Sequence, residues 1–187
     1  MFNNLKLIKP LTTSQVFDIW RDIEEPLEHW KGFWKTKGFK NWEEWRKQSH
    51  APVLEKNLSW DLYLINNPLT EIPQWRGIMS HSWNKWFYPQ FPEKPPRLKD
   101  LLIHPGVHNH WYIREIANNL PASTTLTALH MSNGDIVVAE GMHRACAITM
   151  LAFDKKPLNT DVFVIIADWP DNEPPKLGTS WKSDVEK

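Results

Sequence analysis

The stretch TTLTALHMSNGDIVVAEGMHRACAITMLAF, residues 124–153, decides the fold. Its first part, TTLTALHM, is rich in β-branched residues and predicts a strand. Asn133-Gly134 follows, the strongest short hairpin signal. DIVVA then returns as the partner strand. Gly141 turns the chain, and MHRACAITMLAF predicts a helix that is apolar on nearly every side. Such a helix has no face to give to water, so other elements must cover it at the centre of its domain.

Working outward, HWYIREIANNL at 110–120 predicts a helix, and DVFVIIADW at 161–169 predicts a strand buried on both faces. The order helix, hairpin, helix, strand predicts an α+β fold, a small mixed sheet with helices. The core so defined covers residues 97–170.

The junction AEGMHRACA, residues 139–147, carries the chemistry. The first amides of a helix have no partner inside it, and together with the positive end of the helix dipole they make an anion site. Gly141 allows close approach of the backbone or a positive φ. Arg144 adds a forked donor that suits phosphate, and His143 a donor whose charge changes near neutral pH. Glu140 would repel a phosphate unless it orients Arg144, holds a metal or acts as a base. The same residues also fit a plain strand-to-helix turn in which Arg144 pairs with Glu140, and the sequence leaves both readings open.

With these residues in view, NGDIVVAEGMHRACAITML followed by DVFVIIADW resembles the core of the ParB/sulfiredoxin-like superfamily, over roughly residues 100–169. There a hairpin leads into an acid-Gly-x-His/Arg-Arg motif that contacts nucleotide phosphates at a helix start. The resemblance implies nucleotide binding by Gly141, Met142, His143 and Arg144, with ATP, ADP or CTP as ligand and Mg²⁺ beside the phosphates. It also implies phosphotransferase or nucleotide hydrolase chemistry toward a small-molecule or protein acceptor. Glu140 and Glu115 are then the candidate catalytic carboxylates, Glu115 as the upstream acid of the kinase branch. Met142 stands where a sulfiredoxin carries its cysteine, so sulfiredoxin chemistry is not implied.

Composition bounds the rest. The 22 basic and 22 acidic residues of the 187-residue chain cancel, so net charge gives no drive toward nucleic acid or an anionic membrane. One cysteine, Cys146, excludes an internal disulfide and a cysteine zinc cluster. Its place in the apolar helix predicts a buried small side chain rather than a nucleophile. The N-terminus lacks a signal-peptide pattern and no stretch is long and apolar enough for a membrane span, so a cytoplasmic protein is expected.

Ten of the twelve tryptophans precede residue 112, so the two halves differ in kind. Residues 1–96 are expected to be a Trp-rich, mostly helical extension packed on the core. NLKLIK at 4–9 predicts a short strand. TTSQVFDIWRDIEE predicts a capped amphipathic helix with Val16, Phe17, Trp20 and Ile23 on one stripe. From Pro26 to Gly38 a helix is expected to carry Leu27, Trp30 and Trp34, and Asn41 caps a third. LSWDLYLINNPL reads as a strand ended by a turn, and WNKWFYPQFPEKPPRLKD as irregular chain that packs by its rings. FPEKPP at 91–96 marks the boundary.

Two further groups hold candidate ligands. WKGFWKTKGFKNWEEWRK interleaves rings with lysines, which suits a core whose lysines reach out from its rim or a non-catalytic module that binds single-stranded nucleic acid or a protein partner anchored by tryptophan. In HPGVHNH, a metal would need His104, His108 and His110 with Asp100 or Glu115, but Pro105-Gly106 keeps His104 and His108 off one helical face. Beyond Pro170, residues 171–187 are expected to form a flexible tail.

Overall fold

The computed structural model describes residues 4–88 and 94–178. Five strands, β1 (Leu5–Leu11), β2 (Trp60–Ile65), β3 (Ser123–Met131), β4 (Ile136–Glu140) and β5 (Asp161–Trp169), form one sheet in the order β1-β2-β5-β3-β4. β3 and β5 run parallel, and the other neighbours are antiparallel. The α+β class with a mixed sheet therefore holds. The parallel pair requires a crossover, and the helix Met142–Phe153 supplies it.

The described helices are α1 (Thr13–Glu24), α2 (Phe33–Thr36), α3 (Trp42–Ser49), α4 (Ala51–Leu54), α5 (Pro68–Glu71), α6 (His81–Phe87), α7 (Leu98–Leu101), α8 (Pro105–His108), α9 (Trp111–Asn118) and α10 (Met142–Phe153). Short 3₁₀ turns occupy Glu28–Trp30 and Ile72–Gln74. None of the helices is long and apolar enough to cross a membrane.

Successive residues of a strand point to opposite faces, and β3 shows what covers each. Thr127 accepts the indole N–H of Trp20 in α1 at 2.8 Å. Leu126 packs beneath Gly141 at the start of α10. With helices on both sides, Leu126 to Leu129 and Val164 to Ala167 are all buried. α10 packs against α9, α7 and α5 as well as the sheet, and eight of its twelve residues are buried. An all-round apolar helix has found cover on every side.

The N-terminal half is more than a helical extension. Residues before 97 contribute β1 and β2, two of the five strands, with β2 paired to both β1 and β5 and β1 largely exposed at the sheet edge. β1 continues through Pro10, which an edge strand tolerates because it needs no donor on its outer side. Among the first helices, α1 keeps its capping box between Thr12 and Gln15, and Asn41 caps α3 by accepting the Glu44 N–H at 2.8 Å.

The single helix expected from Pro26 to Gly38 is broken. Gly32 stands at φ 76°, a left-handed geometry that no α-helix includes. Only the 3₁₀ turn and four-residue α2 form on its two sides. The expected irregular stretch after residue 80 includes α6, whose Trp83 is buried.

Of the FPEKPP boundary, residues 91–93 lie outside the described residues, while Pro95 and Pro96 are buried against Arg76 and Gly77. The flexible tail expected over 171–187 is corrected at its start. Leu177 is buried, its N–H bonded to the Met79 carbonyl, and the Gly178 N–H bonds to the Ser49 carbonyl. One apolar side chain with a waiting slot, plus two backbone hydrogen bonds, outweighs the prolines before it. Residues 179–187 lie outside the described residues.

Candidate functional site

The outer edge of β4 explains where the site forms. Arg76 pairs with it through two backbone hydrogen bonds, its N–H to the Ile136 carbonyl and its carbonyl from the Val138 N–H. At Ala139 that partner stops, and a side chain replaces it. His50 Nε2 lies 3.3 Å from the Ala139 carbonyl, and Ser49 Oγ lies 2.9 Å from His50 Nδ1. With Nε2–H donating and Nδ1 accepting, the neutral imidazole satisfies both neighbours. Burial and the adjacent Arg46 guanidinium hold its pKa well below the usual histidine value.

Beyond His50 the chain leaves β4 at Gly141, at φ 87° and ψ 24°. A Cβ at this position would stand 2.7 Å from Leu126 Cδ2 and 3.0 Å from Arg144 Nη2. Glycine is thus required twice, by the left-handed backbone and by the close approach of Leu126. Having no side chain, Gly141 also leaves the start of α10 uncapped.

A cavity of about 280 Å³ opens over this turn. Glu140, Gly141, Met142, His143 and Arg144 all border it, so the structure brings together five of the six residues singled out in the sequence. Glu115 is the exception. It is exposed on α9, and its neighbours Tyr112 and Ile116 face the cavity in its place. As a catalytic base at this turn, Glu115 is therefore in the wrong position.

Arg144 Nη2 donates to both oxygens of Glu140, at 2.8 and 2.7 Å. The side chains are 15 % and 5 % exposed. The cavity is also lined by a second acid–arginine pair that the sequence did not reveal, Glu24 of α1 and Arg46 of α3. Arg46 Nε donates to Glu24 Oε2 at 2.6 Å, Nη2 donates to Oε1, and the Trp42 indole N–H reaches Oε2 at 3.2 Å. Burial lowers the Arg46 pKa to about 10, with the Glu140 carboxylate opposing that shift and Arg144 adding to it. Arg46 stays charged at neutral pH and lies within electrostatic reach of the Gly141 turn.

Aromatic rings make the remaining walls. Trp30, Phe33 and Trp45 come from the N-terminal half, Trp83 from α6 and Tyr112 from α9. His143 sits among rings, with its centroid 5.3 Å from Trp83, 5.2 Å from Tyr112 and 5.4 Å from His110. Leu177 and Gly178 complete the rim. Sequence reasoning missed Glu24, Arg46, His50 and Trp83 because each joins the site through contacts across the chain. Only Arg46 carried a signal, as a charge on a helix whose other stripe is apolar.

The other candidates resolve as follows. In the ring-and-lysine segment Trp42 and Trp45 are buried, Trp30, Phe33 and Trp34 are half-buried, and Lys31, Lys35, Lys37, Lys40 and Lys47 are exposed, so its rings pack inward with a charged rim. His104 turns back to accept the Gly106 N–H at 3.1 Å, His108 meets Phe153, and His110 faces His143. Among the described residues no three His, Cys, Asp or Glu side chains are grouped to hold a metal ion. Cys146 is fully buried, and desolvation pushes its thiol pKa up, away from nucleophilic use.

No protein-family model, curated protein or solved structure matches the chain.

Proposed function

We propose that the protein binds a nucleotide in the cavity over Gly141, with its phosphates at the uncapped start of α10 and on Arg144. One observation carries this reading. The cavity opens at the place where the helix start, a half-buried arginine and a glycine that admits close approach coincide. Its volume, about 280 Å³, lies just below the range of about 300–1,000 Å³ typical of small-molecule sites. A buried acid–arginine pair such as Glu24–Arg46 beside these rings would be a costly way to fill a core, since replacing such pairs by apolar residues is often neutral or stabilising.

In this reading the chain is a ParB/sulfiredoxin-like nucleotide-binding protein, supported by the succession of hairpin, glycine turn, core helix and parallel strand. ATP, ADP and CTP are the ligands to test, each with and without Mg²⁺. For phosphoryl transfer or hydrolysis, Glu140 is the carboxylate at hand, placed to hold a phosphate-bound Mg²⁺ or to accept a proton from the attacking hydroxyl.

Isothermal titration of the purified protein with the three nucleotides tests the reading. Binding is expected, and Arg144→Ala is expected to weaken it about tenfold, the loss of a charge-assisted contact. If none of the three binds with or without Mg²⁺, the proposal falls.

A further inference from the structure

The N-terminal half reaches into the cavity with three rings in mutual contact. Trp30 and Phe33 are 5.1 Å apart at 76°, Phe33 and Trp45 are 5.5 Å apart at 74°, and Trp30 and Trp45 are 5.3 Å apart at 37°. Two edge-to-face contacts and one shallow tilt build a corner rather than a stack. We propose that this corner is the base-binding wall of the site, on which the ring system of the nucleotide stacks while its phosphates lie at the Gly141 turn. The inference rests on the nucleotide reading above and assigns the Trp-rich half its part in it.

Gly32, at φ 76°, breaks the helical run between Trp30 and Phe33, and of the rings in this segment Trp30, Phe33 and Trp45 line the cavity while Trp34 does not. Trp45 is the buried back of the corner, and exposure separates its other two rings from ordinary core. Trp20 and Trp42 are fully buried, whereas Trp30 and Phe33 are only partly so and border the cavity.

Cations already sit on the corner's rings, Arg46 4.9 Å from the Trp45 centroid and Lys37 5.5 Å from that of Phe33. Both residues line the cavity. Arg46 connects the corner with the phosphate side, since it stacks on Trp45 and interacts with the charges of Glu140 and Arg144. A ligand with a flat π-face at one end and negative charge at the other matches this layout. Base-on-aromatic stacking tolerates any base, so the corner selects nucleotides over bare phosphates without choosing among bases.

The test uses the full chain and two probes, ADP and inorganic pyrophosphate, titrated into wild type, Trp30→Ala, Trp30→Phe and Arg144→Ala. Trp30→Ala is expected to weaken ADP about tenfold and to leave pyrophosphate unchanged, with Trp30→Phe restoring most of the ADP affinity. ADP binding should also quench tryptophan fluorescence in the wild type, and less so in Trp30→Ala. Unchanged ADP affinity in Trp30→Ala, with Arg144→Ala still impaired, overturns the wall while the nucleotide site stands. Equal loss of both probes also overturns it, since the ring would then act only through the fold. If the wild type binds neither probe, the site reading fails and the wall with it. Should Trp30→Ala not fold, Phe33→Leu takes its place with the same expectations.

Discussion

Two acid–arginine pairs line the cavity, and they are built differently. Glu24 and Arg46 lie 22 residues apart on α1 and α3, and two guanidinium nitrogens meet the two carboxylate oxygens while Trp42 and His50 complete the network. Glu140 and Arg144 are local partners across the Gly141 turn, and a single nitrogen, Nη2, serves both oxygens. Among the described residues Arg144 Nε and Nη1 make no hydrogen bond. The first pair fixes helices to one another. The second keeps donors in reserve beside an open space, which is what a ligand-binding arginine requires.

Stability measurements offer the hardest test of that contrast. Removing one member of a buried ion pair leaves the other charge desolvated and alone, at a cost of about 3–5 kcal/mol. Arg46→Met should therefore lower the urea-unfolding free energy by about that amount. Arg144→Met should cost less, about 1–3 kcal/mol, because Glu140 keeps Arg46 as a second cation within reach. If the two variants lose equal stability, or Arg144→Met loses more, the distinction between a fixing pair and a binding pair is wrong.

His50 links the two walls, since it touches Arg46 on one side and the Ala139 carbonyl on the other. Trp20 and Ser49 enclose the rest of its ring. Its depressed pKa keeps it neutral in the folded protein at a pH where the unfolded chain takes up a proton. Stability should then be flat above about pH 6.5 on this account and fall below it, with a slope approaching about 1.4 kcal/mol per pH unit until the folded-state pKa is reached. Thermal melts of wild type and His50→Gln across pH 5 to 7.5 measure it. The variant should lose most of the slope, with a residue from His110, whose pKa burial also lowers. An unchanged slope in His50→Gln would place the acid sensitivity elsewhere.

How much of this was legible in the sequence follows the same division. From Ser123 to Trp169 the elements were readable nearly residue by residue, since Asn133-Gly134, Gly141 and the all-apolar helix are local signals with local causes. The phosphate side of the site lay in that stretch, and Glu140 to Arg144 were found together. In the first half, the strands and the caps at Thr12 and Asn41 were readable for the same reason. Gly32 was not, because a glycine inside a helical pattern lowers helix stability only by about 1 kcal/mol and tertiary packing decides whether it breaks. Glu24 and His50 were hidden altogether, and Arg46 showed only as a charge on a helix with an apolar stripe. Their roles come from each other, and periodicity contains no information on which buried charge meets which. Glu115 failed for a related reason, as its helix was right and only the face it presents was undetermined.

The smallest expected effect is the most informative about the turn. Glu140 both occupies Arg144 and sets a negative charge before the start of α10, so in the absence of a metal it competes with any phosphate. Glu140→Gln keeps the shape and an acceptor oxygen for Arg144 but removes the charge. In EDTA, affinity for ADP should rise several-fold, a gain of about 1 kcal/mol. With Mg²⁺ the sign should reverse if Glu140 holds the metal against the phosphates, because an amide oxygen is a poorer ligand for a hard cation than a carboxylate. Titrations of wild type and Glu140→Gln under both conditions separate the roles. A gain under both conditions makes Glu140 a restraint on Arg144 alone. A loss in EDTA means that the carboxylate aids binding by positioning Arg144, and the competition described here does not occur.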